Sequence, residues 1–322
     1  MFWPLIRLLP KETHFRFVRY APIAAVLSAI AVAASVACFV FVGLNFGTDF
    51  RGGTQIAVQT VGPAPLGELR AALAKQGAHD PQVQGFGAPN SAMLRFEPAA
   101  GANPADAVAK IETQLKAQFP GLKVTDEEVF GAKVSGELFR GGLFALATAI
   151  GLMLLYIWFR FQLQFGLGAV IALAHDIVLT MGALSALHIE FSMPSIAALL
   201  TVIGYSMNEK VISFDRLREN LVKHRSMPLA DIINLSENER LSRTLITGST
   251  ALLALSGMLF LGGPTIFPVV FAMVFGIVVG TYSSIYVSSS LLIVLGLKPQ
   301  PLAAPKVKGV AAGAERITRE GY

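Results

Sequence analysis

Apolar runs about 20 residues long, enough to cross roughly 30 Å of hydrocarbon, recur six times along the chain. They predict transmembrane helices at 21–43, 138–159, 164–187, 193–215, 244–262 and 266–296. Between the first two lies an insert, 44–137, where apolar and polar positions alternate. GTQIAVQT (53–60), PQVQGFG (81–87), SAMLRFEP (91–98) and LKVTDEEVF (122–130) read as strands, with APN as the turn between the middle pair. PLGELRAALAKQG (65–77) and NPADAVAKIETQLKAQFP (103–120) read as helices, the second with Asn103 as N-cap and Pro104 at its first position. The order β-α-β-β-α-β is that of a ferredoxin-like split βαβ unit. The expected fold is a polytopic α-helical membrane protein: six transmembrane helices plus a small α+β domain.

Charge orients this arrangement. Lys and Arg concentrate in 1–20, 214–243 and 298–322, which six crossings place on one side, while the loops HIEFS and GGPT on the other carry none. The positive-inside rule makes the basic side cytoplasmic. This gives a cytoplasmic N-terminus (1–20), a cytoplasmic loop (216–243), a cytoplasmic, disordered tail (297–322) and a periplasmic insert. Arg7, Lys11, Arg16 and Arg19 precede the first span and anchor it.

Composition agrees: 53% of residues are hydrophobic and 15% charged, against about 25% charged in ordinary soluble domains. The net charge of +5 follows the topology and implies contact with anionic membrane lipids rather than nucleic acid. The single cysteine, Cys38, excludes an internal disulfide. No metal-ligand spacing, nucleophile elbow or dinucleotide fingerprint is present, so neither an enzyme nor a cofactor is expected.

Candidate chemistry lies where polar groups interrupt the spans. His175 and Asp176 in "IALAHDIVLT" sit about 18 Å into the third span. An ionised, unpaired Asp there costs at least about 2.5–3.5 kcal/mol, so it must face protein or water or be protonated. In the fourth span, "IGYSMNEKVISFDR", helical spacing stacks Tyr205 with Asn208 and Glu209 and turns Lys210 about 100° away. Arg243, where the fifth span begins, is placed to reach Glu209 and offset part of its desolvation. Each residue also has a plainer reading: Asp176 as an interhelix hydrogen-bonding group, Glu209 as a static partner of Lys210 or Arg243, Lys210 as a snorkelling or pairing charge, Arg243 as an interfacial anchor. In "LNFGTDFRGGTQ" (44–55), Gly47, Gly52 and Gly53 with Asp49 suggest a tight connector between first span and insert. With no Lys-Ser/Thr following, it is no phosphate loop.

GTDFRGGT, VIALAHD, IGYSMNEKVISFDRLREN, SRTLITGST and VGTYSSIYV, in this order over roughly 44–295, resemble the SecD/SecF family, on its SecF side. The resemblance implies one six-span half of a resistance–nodulation–division-type transporter in the bacterial inner membrane, completed by SecD. Its implied activity is to use the proton gradient to draw unfolded preprotein outward from the SecYEG channel, with YajC as a further partner. By motif, the family's transport-linked carboxylate falls on Glu209 and its arginine on Arg243. This chain has Glu for the usual Asp and Lys210 for the usual Thr or Ser. Two other readings stand beside this one: half of a proton-coupled small-molecule exporter, and an assembly subunit whose buried charges only pair helices. The single half and the short insert favour protein export over the exporter.

Overall fold

The computed structural model describes residues 13–86, 88–97, 104–130 and 132–297. Helix α1 (Phe17–Phe41) leads through strand β1 (Asn45–Phe46) and the single turn α2 (Thr48–Arg51) into the α+β domain. That domain runs β2 (Gly53–Gln59), α3 (Leu66–Lys75), β3 (His79–Phe86), β4 (Ala88–Glu97), α4 (Pro104–Gln118) and β5 (Lys123–Phe130). Helices α5 (Ala132–Arg160) and α6 (Leu163–Ala186) follow, then β6 (Glu190–Phe191), α7 (Met193–Lys223), α8 (Leu229–Leu261), α9 (Gly263–Ser283), a π turn at Ser284–Ser288 and α10 (Ser289–Val294).

The four longer strands form one antiparallel sheet in the order β3-β4-β2-β5. Alternation along β2 turns Thr54, Ile56 and Val58 inward, and a register shift in its pairing with β5 sets Val58 opposite Val124. Ile56, Val58, Leu94 and Phe96 meet Leu69 and Leu73 of α3 and Ile111 and Leu115 of α4 in a closed apolar core. The APN stretch, expected as a turn, is the start of β4, with Ala88 opposite Phe86. Asn103, Arg7, Lys11 and the tail beyond 297 lie outside the described residues.

Among the described residues, five helices are long and apolar enough to cross a membrane: Phe17–Phe41, Val134–Arg160, Leu163–Ala186, Leu229–Leu261 and Thr265–Val294. The expected fourth span is not among them. The charged residues of α7 make it too polar by composition, although its length and its packing against α6, α8 and α9 match the others. The loop expected over 216–243 is also different. Helix α7 continues to Lys223 and α8 starts at Leu229, leaving only 224–228 as connection. The charges that read as a loop are helix surface: Arg216 and Lys223 pair with Glu219 along α7, and Arg216 also reaches Glu239 on α8.

Helices come unusually close at several glycines, Gly182 and Gly276 among them. A Cβ on Gly182 would lie 2.7 Å from Ser35 Cα on α1, and one on Gly276 would lie 2.4 Å from Val202 Cγ2 on α7. Small residues at such crossings let membrane helices pack by van der Waals contact, the main attraction where no hydrophobic force separates helix from lipid.

The glycine-rich connector ties three parts together. β1 pairs in parallel with β6, and Gly47 N donates to Phe191 O at 2.9 Å. Asp49 Oδ2 accepts from Met193 N at 2.8 Å, so it caps α7 from a distant segment. A Cβ on Gly47 would stand 2.6 Å from Glu190 Oε1, and Gly52 has φ 82°, a conformation that favours glycine. Glu190 forms an ion pair with Arg95 of β4, and Arg95 also holds Gln55 of β2 at 2.8 Å. Connector, α6–α7 turn and α+β sheet thus form one linked unit.

Candidate functional site

Two buried charge centres lie among α6, α7, α8 and α9. The first is built on Asp176. Its Oδ2 accepts from Lys210 Nζ at 2.8 Å, from Ser283 Oγ at 2.8 Å and from Ser206 Oγ. Its Oδ1 lies 3.0 Å from His175 Nδ1. Lys210 Nζ also donates to Ser206 Oγ and, at 3.0 Å, to Ser283 Oγ, so all three ammonium protons have acceptors. Neither Asp176 nor Lys210 has exposed surface. From His175 the contacts continue to Ser28 Oγ on α1 at 3.2 Å, and from Ser28 to Tyr282 OH at 2.9 Å.

The second centre is built on Glu209, one residue before Lys210. Glu209 Oε2 accepts from Thr244 Oγ1 of α8 at 2.8 Å, and Arg240 Nη1 lies 3.6 Å away. Glu209 Oε1 is buried without a hydrogen-bond partner among the described residues. Arg240 is shared with a second carboxylate: its Nε donates to Glu237 Oε2 at 2.7 Å, its Nη1 to Thr244 at 3.0 Å and its Nη2 to Ser284 Oγ at 3.2 Å. Glu237 Oε1 accepts from Ser213 at 2.9 Å and Ser289 at 2.6 Å. The neighbouring serines 283 and 284 therefore serve different centres, one the Asp176 pair and the other Arg240.

Three sequence expectations change. Lys210, placed by helical projection away from the bundle, is inside it. Asn208, expected beside Glu209, is exposed. The outward stripe of α7 is Thr201, Gly204 and Asn208, spaced three and four residues apart, and the inward arc is wide enough to take both Glu209 and Lys210. Tyr205 is only partly buried, with its hydroxyl 3.5 Å from Thr281 Oγ1. Arg243, expected to meet Glu209, is exposed, and Arg240 takes that place. Arg243 precedes Thr244 by one residue, which turns it about 100° from the face that Thr244 shares with Arg240 and Glu237.

Arg240, Glu237 and Thr244 are the residues sequence reasoning missed. Their i, i+3, i+7 spacing on α8 was legible only if the helix was extended back through the presumed loop. Nearer the 224–228 turn, a cleft of about 460 Å³ opens between α7 and α8, lined by Ile212, Asp215, Arg216, Glu219, Glu239, Arg240 and Arg243. At its rim, hydrogen bonds from Lys223 and Arg216 hold the Glu219 carboxyl below its ordinary pKa.

Known proteins resemble the chain along most of its length. The family model described as "Protein export membrane protein SecD/SecF, C-terminal" matches residues 110–298, and the SecD/SecF GG motif matches 39–64, the segment holding Gly47, Asp49, Gly52 and Gly53. The protein translocase subunit SecF of Rhodobacter capsulatus is 43% identical over 306 residues, covering 91% of this chain and 92% of that protein. SecF of Vibrio alginolyticus is 38% identical over 305 residues, 94% of this chain and 97% of that one. Among solved structures, the crystal structure of SecDF, a translocon-associated membrane protein from Thermus thermophilus, superposes with TM-score 0.80 at 32% identity. The match covers 90% of this chain and 40% of that one.

Proposed function

The chain belongs to the SecD/SecF family of protein-export membrane proteins, and we propose that it is a SecF-like translocase subunit that works with SecD to couple the proton gradient to late steps of preprotein export. In this reading it is a multi-pass protein of the bacterial inner membrane. Helix α7 is a sixth crossing, both termini are cytoplasmic, and the α+β unit is a ferredoxin-like domain on the periplasmic side. The SecYEG channel and YajC are its further partners, unfolded preprotein its substrate, and membrane lipids its surroundings. Transport rather than catalysis is its role.

The observation that carries the proton reading is Glu209. It is fully buried, one of its oxygens has no partner, and the arginine nearest to it is also committed to Glu237. A protonated Glu209 needs no counter-charge, whereas an ionised one draws on Arg240, so the two states favour different positions of that guanidinium. Proton binding at Glu209 thereby becomes a packing change between α7 and α8. Tyr205 and Asp176 stand close to this step. Asn208 faces outward from the bundle; at membrane depth such a group is costly against lipid, and we assign that face to SecD, while Arg243, exposed at the cleft between α7 and α8, keeps a part in proton transfer there.

A second reading, that the buried charges only pair helices, is favoured by one observation: Lys210 and Asp176 satisfy each other and their serine partners completely. Gradient-dependent export by membrane vesicles carrying Glu209→Gln, scored together with SecD co-purification, separates the two. The proton reading expects an intact complex whose export no longer responds to the gradient. Export at the wild-type level would remove Glu209 from the mechanism, and loss of SecD from the complex would favour helix pairing.

A further inference from the structure

Glu209 has no exposed surface, so a proton that loads it must arrive along some path. We propose that the cleft between α7 and α8 is that path, an aqueous port ending at Arg240, which acts as a positioning residue between port water and the carboxylate. The inference rests on the proton-coupled reading of Glu209 and adds its route.

Three observations meet here. The cleft holds about 460 Å³, space for on the order of ten waters at roughly 30 Å³ each, and its lining is mainly charged. It is walled by Asp215, Arg216, Glu219, Glu239 and Arg243, and Arg240 also lines it. Arg240 is only 4% exposed and lies 3.6 Å from Glu209 on its inner side. One side chain thus faces the cleft on one side and the buried carboxylate on the other, and Glu209 itself does not line the cleft.

Arg240 cannot carry the proton, because a guanidinium does not release one in a protein. Its contribution is position. Held by Glu237 through Nε and by Ser284 through Nη2, it has an alternative anchor when Glu209 is neutral. The groups around Glu209 are Tyr205 and Lys210 on its own helix, Arg240 and Thr244 on α8, Glu237 beyond Arg240, and Asp176 of α6 beyond Lys210. Among these, Arg240 alone also lines the cleft. Movement of Arg240 further toward Glu237 lets port water reach the Glu209 carboxylate beside Oε2, the oxygen that Arg240 faces at 3.6 Å. Movement back closes the contact.

The test uses the complete complex with SecD, reconstituted in vesicles, in a Cys38→Ser background. Ile212→Cys places a thiol in the cleft wall, and a membrane-impermeant cationic methanethiosulfonate reagent is applied from the side bearing the 224–228 turn. Proton flux of the same complex is read with a pH dye before and after labelling. Val222→Cys, exposed at the same end but outside the cleft, is the control. The port predicts that both thiols are labelled and that flux falls about tenfold only for Ile212→Cys. Failure to label Ile212→Cys, or labelling without change in flux, overturns the port. Where the port is overturned in this way, loss of flux in Glu209→Gln leaves the proton role of Glu209 standing. Normal flux in Glu209→Gln overturns both.

Discussion

Lys210 Nζ and Asp176 Oδ2 meet at 2.8 Å between α7 and α6, with neither side chain exposed. An ion pair this deep is stabilised by the serines around it: Ser206 and Ser283 each touch both partners. Removing one charge strands the other, which costs about 3–5 kcal/mol. Lys210→Met is therefore expected to lower the thermal midpoint of the purified complex strongly, and Asp176→Asn combined with Lys210→Met to recover most of the loss. A double variant no more stable than Lys210→Met would mean the pair is not what holds α6 to α7.

Thr244 donates the one hydrogen bond that Glu209 Oε2 accepts at 2.8 Å. Thr244→Val keeps the shape and removes the donor, leaving a buried carboxylate oxygen unpaired at a cost of about 1–3 kcal/mol. Thr244→Ser keeps the hydroxyl and should behave nearly as wild type. Thermal unfolding of the two variants side by side checks this, and equal midpoints would contradict it.

Gly182 faces Ser35 so closely that even one added carbon would meet the Ser35 backbone at 2.7 Å. A side-chain rotation cannot relieve a clash with backbone. Gly182→Val should separate α1 from α6 and destabilise by about 1–3 kcal/mol, as overpacking does. Cross-linking yield between cysteines placed on the two helices reads out the separation, and an unchanged yield would show that α1 adapts freely.

Asp49 links the glycine-rich connector to the start of α7 through Met193 N. Asp49→Ala removes a capping acceptor, which costs typically about 1 kcal/mol, whereas Asp49→Asn retains a capping oxygen. Hydrogen exchange in the first turn of α7 should rise for Asp49→Ala and stay near wild type for Asp49→Asn. Equal exchange in all three proteins would limit the connector's role to its glycines.

How much of this was legible depended on which side of each helix had to be chosen. Apolar length located α1, α5 and α6, and alternation located the strands and helices of the insert, because those signals are local. The face of α7 was not local. Projection grouped Glu209 with Asn208, but burial grouped it with Lys210, since Asp176, Ser206 and Ser283 supply Lys210 with an interior partner set that no window of α7 contains. Charge density in 216–243 suggested a loop, yet Arg216, Glu219, Lys223 and Glu239 satisfy one another on helix surfaces. Reading that stretch as a loop hides the inward row Glu237, Arg240 and Thr244, and leaves Arg243, at the start of the fifth span and on the family motif, as the arginine expected beside Glu209.

The central claim is that Glu209 takes up and releases the transported proton, and flux across vesicles under an imposed pH difference tests it most directly. In the complex reconstituted with SecD, Glu209→Gln should lose flux at least tenfold, while Glu209→Asp, which keeps a titratable group, should retain a measurable part of it. Flux in Glu209→Gln equal to that of the wild type would contradict the account.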